Sequence, residues 1–313
     1  MADLADHLSL QVSDHVGSVN VVRFTQDGHY CMTGSDDRSI KLWNPFKEDP
    51  AKPGSPLLIK TYFGAHGYSV LDISISVDKA KFASCGEDKN FFFWDVASAR
   101  TIRRFQGHNA KVNAIELNND ATVIFTASYD ETVCCWDLRS NSFEPMQIMR
   151  DFKDSVSSIA RSEFCILASS IDGTVRIYDI RKGCMHTDTL IDPITNIRLS
   201  EDQNTYLATC LGGVVRLVDF SSGNVLKEYR GHTHSSYKSE SCFDSDHFHI
   251  VAGSEDGSIV HWNMTTADVA YRMNGAHTKG IASISYHPSQ PIFLTAGYDG
   301  KMKIWDNSAR IQK

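Results

Sequence analysis

Across 313 residues no apolar run approaches the roughly 20 that a membrane-spanning helix needs, so a helical anchor is excluded. The amino-terminal MADLADHLSL lacks the basic region and long apolar core of a signal peptide, and an intracellular, soluble chain is expected. No charge of one sign dominates: 31 basic against 38 acidic residues leave −7, which argues against a bulk electrostatic grip on nucleic acid. None of the eight cysteines (Cys31, Cys85, Cys134, Cys135, Cys165, Cys184, Cys210 and Cys242) forms a C-x-x-C pair. Most fall in apolar strand patterns, and they read as small buried hydrophobes without disulfide or metal roles. No phosphate-binding loop, metal-ligand cluster or kinase signature occurs. The chain is therefore expected to be no enzyme, with no cofactor, metal or small-molecule substrate.

What is present is repetition. The strand-ending positions Trp43, Trp94, Trp136, Tyr178, Val218, Trp262 and Trp305 are separated by 51, 42, 42, 40, 44 and 43 residues. All five tryptophans of the chain share this phase. A period of about 40–45 residues ending in Trp-Asp resembles the WD repeat, in which each unit is one four-stranded propeller blade. The expected fold is all-β: one seven-bladed WD-repeat propeller spanning residues 1–313.

Counting back from each tryptophan exposes a second pattern. Aspartate stands six residues before at Asp37, Asp88, Asp130, Asp172, Asp256 and Asp299, with Gly212 in the fifth unit. A hydroxyl stands ten before at Thr33, Ser84, Thr126 and Thr295, whereas Ala168, Ala208 and Ala252 break the series. Histidine stands 28 before at His15, His66, His108 and His277, and His232 or His234 competes for the sixth unit. Hydroxyl, imidazole and carboxylate together imitate a nucleophilic triad. A hydrolase needs one such set, and here four complete copies stand in register with a tryptophan, so the expected role is structural. The sets His15–Thr33–Asp37–Trp43, His66–Ser84–Asp88–Trp94, His108–Thr126–Asp130–Trp136 and His277–Thr295–Asp299–Trp305 read as buried hydrogen-bonded chains. Units four and five lack most members and are expected to form the softer arc.

The LSLQV stretch (residues 8–12) alternates like a strand but has no blade of its own. The NSARIQK tail is too short to finish the last blade, so the amino-terminal strand is expected to close the ring there. Residues 44–57 hold four of the eight prolines and read as an extended loop, either a tolerated insertion or a partner-specific arm. One face should carry the turn residues Asp36, Glu87, Tyr129, Glu255 and Tyr298 with Lys111 nearby, while Asn20, Leu71 and Asn113 flank the channel. Tyrosines beside acids and a lysine suit recognition of a peptide with a basic or amphipathic anchor.

LWNP (42–45), HGYSVLD (66–72), FWDVAS (93–98), GHNAKVNAIELNNDATVI (107–124), CWDLRS (135–140) and EYRGHTHSSYK (228–238) resemble the mitogen-activated protein kinase organizer family. The proline-rich 44–57 segment departs from that family's shorter connection. The resemblance implies a monomeric, non-enzymatic scaffold within larger assemblies, in cytoplasm and nucleus. Its implied partners are components of an extracellular-signal-regulated (MAP) kinase cascade and spliceosomal proteins of pre-mRNA splicing, met through protein contacts rather than RNA. A competing resemblance is to substrate receptors of cullin-based ubiquitin ligases, in which Arg139 of WDLR and Arg181 of YDIR would contact the ligase adaptor. A histone-tail or peptide reader is a third reading, carried by the same acids and tyrosines.

Overall fold

The computed structural model describes residues 7–306, which leaves the NSARIQK tail outside the described residues. Among the described residues there are 28 strands and no helix, arranged as seven four-stranded antiparallel sheets. Six sheets are simple meanders: blade 1 spans residues 19–62, blade 2 70–106, blade 3 112–149, blade 4 156–189, blade 5 194–230 and blade 6 241–273. The inner strands of successive blades touch one another around a closed circuit, which defines a seven-bladed propeller with a central channel.

Blade 7 is completed by the chain's own beginning. Strand His7–Val12 pairs antiparallel with Met302–Asp306, matching Leu8 to Trp305 and Val12 to Met302. Val12 is thereby fully buried, and the outer edge of blade 7 acquires the partner that a propeller must supply.

The core is distributed. Seven apolar clusters each join two consecutive blades, as where Phe91 and Phe105 of blade 2 pack on Trp136 of blade 3. Strands therefore read as nearly continuous apolar runs, because both faces of each sheet are covered.

The proline-rich segment differs from expectation. It is a long hairpin, with Ile40–Asp49 paired to Lys52–Tyr62. Pairing survives the prolines because the register shifts between Asn44 and Asp49, so Pro45 and Pro53 sit where the ladder needs no donor. The hairpin leans on the closure seam: Lys52 meets the Asp14 carboxylate at 2.6 Å, and Phe46 packs edge-on against His287 of blade 7. Gly28, with φ of 74°, lies against the same His287 ring, where a Cβ would fall 2.0 Å from Nε2.

Candidate functional site

Four blades carry the complete clamp. In blade 3, the Trp136 indole donates to Thr126 Oγ1 at 2.9 Å, His108 Nε2 lies 2.7 Å from that hydroxyl, and Nδ1 lies 3.0 Å from Asp130. Blade 1 repeats this with Trp43, Thr33, His15 and Asp37 at 2.9, 2.8 and 2.8 Å. Blade 2 does so with Trp94, Ser84, His66 and Asp88 at 2.9, 2.8 and 3.2 Å. Blade 7 uses Trp305, Thr295, His277 and Asp299 at 2.9, 2.7 and 3.0 Å. An indole only donates, so each hydroxyl oxygen accepts from it; where the imidazole is neutral, the hydroxyl hydrogen passes to Nε2 and Nδ1–H to the carboxylate.

The electrostatics are not identical around the ring. Burial is the largest influence on His108 and would lower it, but the Asp130 hydrogen bond, the Cys134 thiol and the Asp130 charge together outweigh it and raise the imidazole to about 9. His277 is held below its ordinary value by burial, which its Asp299 bond does not overcome with Lys303 and Lys301 nearby. In every copy the hydroxyl is fully buried and bonded on both sides, so none is available as a nucleophile.

The other three blades replace the clamp differently. In blade 5, Leu190 takes the histidine's seat: its N–H reaches Gly173 O as that of His277 reaches Gly257 O. With Ala208 and Val218 it forms one apolar cluster. In blade 4, Lys153 N bonds Asp172 as Asn109 N bonds Asp130, which puts Phe152 in the seat, with the Arg176 guanidinium over its ring and 3.2 Å from Asp172. Blade 6 keeps His232, Asp256 and Trp262 and lacks only the hydroxyl. His232 packs edge-on against Trp262, but with Ala252 in place of a hydroxyl the indole turns to Arg230 O, and neither buried ring nitrogen of His232 has a partner among the described residues. His234, which holds the exact sequence spacing, instead bonds Cys210 O and Tyr237 O.

The turn face is defined by one repeated bond. The N–H of Asp36, Glu87, Tyr129, Ile171, Leu211, Glu255 and Tyr298 each reaches a carbonyl at the entry of its blade. Their side chains divide. Glu255 accepts from the backbone of Ser235, Ser236 and Tyr237, and Tyr298 donates to Lys238 O, so both hold the 235–238 loop. Asn20 and Asn113 donate to Val70 O and Val156 O of the next blade and are staples between blades, with Asp36 bonded to Asn20. That leaves Glu87 and Tyr129 exposed, with Lys111 over the Tyr129 ring at 5.5 Å and Leu71 half-buried beside the channel. Arg139 is exposed and bonded to its own Asp137, while exposed Arg181 stacks on Phe164 at 3.7 Å.

The channel holds a cluster that the sequence reading did not single out. Arg23 of blade 1 donates to both Glu240 oxygens at 2.7 and 2.8 Å, to Asp72 at 2.9 Å and to Ser283 at 2.9 Å, joining blades 1, 2, 6 and 7. Burial is the largest influence on Glu240 and would raise it, but the charge and hydrogen bonds of Arg23, with Lys238 and Ser283, together outweigh it and hold it at about 2. An arginine in the inner strand VNVVRF was the available signal; its partner lies 217 residues away.

Comparison with known proteins sets blades 4 and 5 apart but not blade 6. The family model described as WD domain, G-beta repeat matches residues 8–44, 57–95, 99–137, 223–263 and 271–306, passing over blades 4 and 5. The chain is 35% identical to the WD repeat domain-containing protein 83 homolog of Dictyostelium discoideum, covering 95% of this chain and 97% of that one. It is 39% identical to WD repeat domain-containing protein 83 of Homo sapiens (94% and 90% covered) and 41% to that of Xenopus laevis (97% and 93%).

Proposed function

The chain belongs to the WD repeat domain-containing protein 83 family, and from that premise we propose that it is a non-enzymatic scaffold that binds other proteins on its turn face. The observation that carries this reading is the fate of the polar residues. Every hydroxyl–imidazole–carboxylate set is spent inside a blade, and no group of three or more His, Cys, Asp or Glu side chains among the described residues could hold a metal. What the ring offers outward is shape: a rigid annulus carrying Tyr129, Lys111, Glu87 and Leu71 on one face. The sequence resemblance to the kinase organizer family supplies the partner classes, namely MAP kinase cascade components and spliceosomal proteins, in cytoplasm and nucleus. The net charge of −7 favours protein contacts over RNA in either setting.

Affinity purification from nuclear and cytosolic extracts, read by mass spectrometry with Tyr129→Ala in parallel, tests the reading. Recovery of kinases or splicing factors that the variant loses supports it; absence of both classes from wild-type captures overturns the partner assignment. A second reading has one observation in its favour, the exposed Arg139 and Arg181 on consecutive blades. Co-purification of a cullin-ligase adaptor that is lost on Arg139→Ala would establish it instead.

A further inference from the structure

Two stations on the turn face carry the same pair of residues, and one of them is filled by the chain itself. Seven positions before the tryptophan stand Glu255 in blade 6 and Tyr298 in blade 7, and likewise Glu87 in blade 2 and Tyr129 in blade 3. Their N–H groups reach the entries of their own blades, at Thr233 O, Gly280 O, Ser69 O and Lys111 O, so the repeat sets both pairs alike on the ring. What differs is the loop between. Ser69 and Asp72 of blade 2 are separated by two residues, whereas their counterparts in blade 6, Thr233 and Glu240, are separated by six.

The longer loop shows what such a pair recognises. Glu255 accepts from the N–H groups of Ser235, Ser236 and Tyr237 at 2.7, 2.7 and 2.9 Å and from the Ser235 hydroxyl at 2.7 Å. Tyr298 donates to Lys238 O at 2.9 Å, and its ring lies 5.3 Å from that of Tyr237. The carboxylate thus reads a run of backbone N–H groups, and the phenol reads the next carbonyl and an aromatic ring. Blade 2 has no such insertion. Glu87 is exposed, Tyr129 is 58% exposed, and among the described residues neither the carboxylate nor the phenolic hydroxyl is hydrogen-bonded.

Charge sets the vacant pair apart from the filled one. Lys111 stands where blade 7 has Gly280, and its ammonium lies over the Tyr129 ring at 5.5 Å. In the filled pair the residue after the aromatic, Lys238, turns to the channel and donates to Asn113 O of blade 3 at 3.3 Å. A lysine at the same place above blades 2 and 3 would meet both Lys238 and Lys111, so an acid is favoured there.

We propose that Glu87 and Tyr129 bind an extended segment of a partner protein in which two small residues precede an aromatic and then an acid, held as the ring holds its own Ser235–Lys238. Glu87 accepts the N–H run, Tyr129 donates to the carbonyl that follows, and Lys111 meets the acid. The assignment rests on the turn-face scaffold reading of the same residues.

The test is a titration of the full chain, labelled on its tyrosine rings, with the end-blocked peptide Gly-Ser-Ser-Tyr-Glu-Gly. The Tyr129 ring signal is expected to respond, with those of Tyr237 and Tyr298 unmoved because their loop stays in place. Affinity should fall roughly tenfold in Glu87→Ala and roughly threefold in Tyr129→Phe, which keeps the ring and loses the donor. Both side chains are exposed, and unchanged melting temperatures separate lost binding from lost fold. Two altered peptides decide the chemistry: proline in place of the second serine removes an N–H, and lysine in place of glutamate reverses the charge. Equal binding of either overturns the proposal, as does a response at Tyr237 and Tyr298 instead of Tyr129. A peptide that leaves Tyr129 unmoved while Tyr129→Ala still loses captured partners overturns this assignment and leaves the scaffold reading standing.

Discussion

Blades 7, 1, 2 and 3 form one arc and blades 4, 5 and 6 another, and the two arcs solve the same packing problem by different chemistry. The first arc fills each blade with a polar chain linked from indole through hydroxyl and imidazole to carboxylate, with Asp88 Oδ1 the one clamp oxygen left without a partner among the described residues. Blade 5 fills the same space with Leu190, Ala208 and Val218 while Arg216 donates to Leu190 O and pairs with Asp192, and blade 4 with Phe152 under the Arg176–Asp172 pair. Both answers are self-consistent, because a buried network is stable when nearly all its polar groups are paired or absent. Blade 6 is neither: it keeps the imidazole and indole and has lost the hydroxyl between them. The expectation of softness at residues 150–220 therefore moves to blade 6, whose inner strand is also only Ser241–Phe243.

The largest effect should come from the residue that ties the arcs together. Arg23→Met strands the buried Glu240 carboxylate of blade 6 and should cost on the order of 3–5 kcal/mol in chemical denaturation. Arg23→Met combined with Glu240→Leu should recover part of that loss, since the Glu240 charge is then removed while the Asp72 carboxylate still lacks its cation. A double variant as unstable as the single one would mean that the pair does more than neutralise itself.

Within the first arc, His108→Ala leaves the Thr126 hydroxyl and Asp130 short of a partner and should cost about 1–3 kcal/mol. Amide exchange adds the spatial test. Residues 150–220 should be protected as well as 80–140, with faster exchange around His232 and Ser241–Phe243. Uniform protection around the ring would remove the distinction between blade 6 and the rest.

Blades 3 and 6 should also separate along the pH axis. His108 is raised to about 9 in the fold against an ordinary value near 6.5, so its contribution is complete below pH 6.5 and is lost as pH rises through about 9. His232 is lowered to about 4, chiefly by burial and then by His234, so its neutral form is favoured by folding. That contribution is complete above pH 6.5 and is lost as pH falls through about 4. His261, also in blade 6 and lowered by burial to about 3, adds to the acid limb. Stability measured from pH 4 to 9 should lose its alkaline slope in His108→Ala and part of its acid slope in His232→Leu.

How far these features could be read in the sequence follows from their spacing. The tryptophan phase and the four complete clamps lie at constant offsets inside single units, so counting finds them. Phe152 escapes because the loop leading to it changes length, and a seat displaced by two residues leaves a fixed count; Leu190 stands at the counted position before Val218 and escapes only because it is not a histidine. The same drift puts His234 at the counted position and His232 at the tryptophan. The 44–57 hairpin was hidden because its prolines fall where the register slips, and Arg23 because its partner stands five blades away in the chain. On the turn face, position was legible and availability was not: nothing local in the sequence says that Glu255 and Tyr298 are occupied by the 235–238 loop.

The smallest predicted effect bears most directly on the comparison, because it repairs a blade rather than breaking one. Ala252 occupies the hydroxyl position of blade 6, fully buried, with its strand neighbours in the usual register and Trp262 close to the imidazole of His232. Ala252→Ser adds one oxygen at the place where Thr126 serves blade 3. That oxygen can accept from the Trp262 indole and donate to an imidazole nitrogen that has no partner. A net gain of about 0.5–1.5 kcal/mol is expected, the ordinary yield of one added internal hydrogen bond. The gain should vanish in Ala252→Ser combined with His232→Leu, where the new hydroxyl lacks its acceptor. Destabilisation by Ala252→Ser with His232 intact would show that blade 6 has closed around the alanine, so that overpacking outweighs the restored bond.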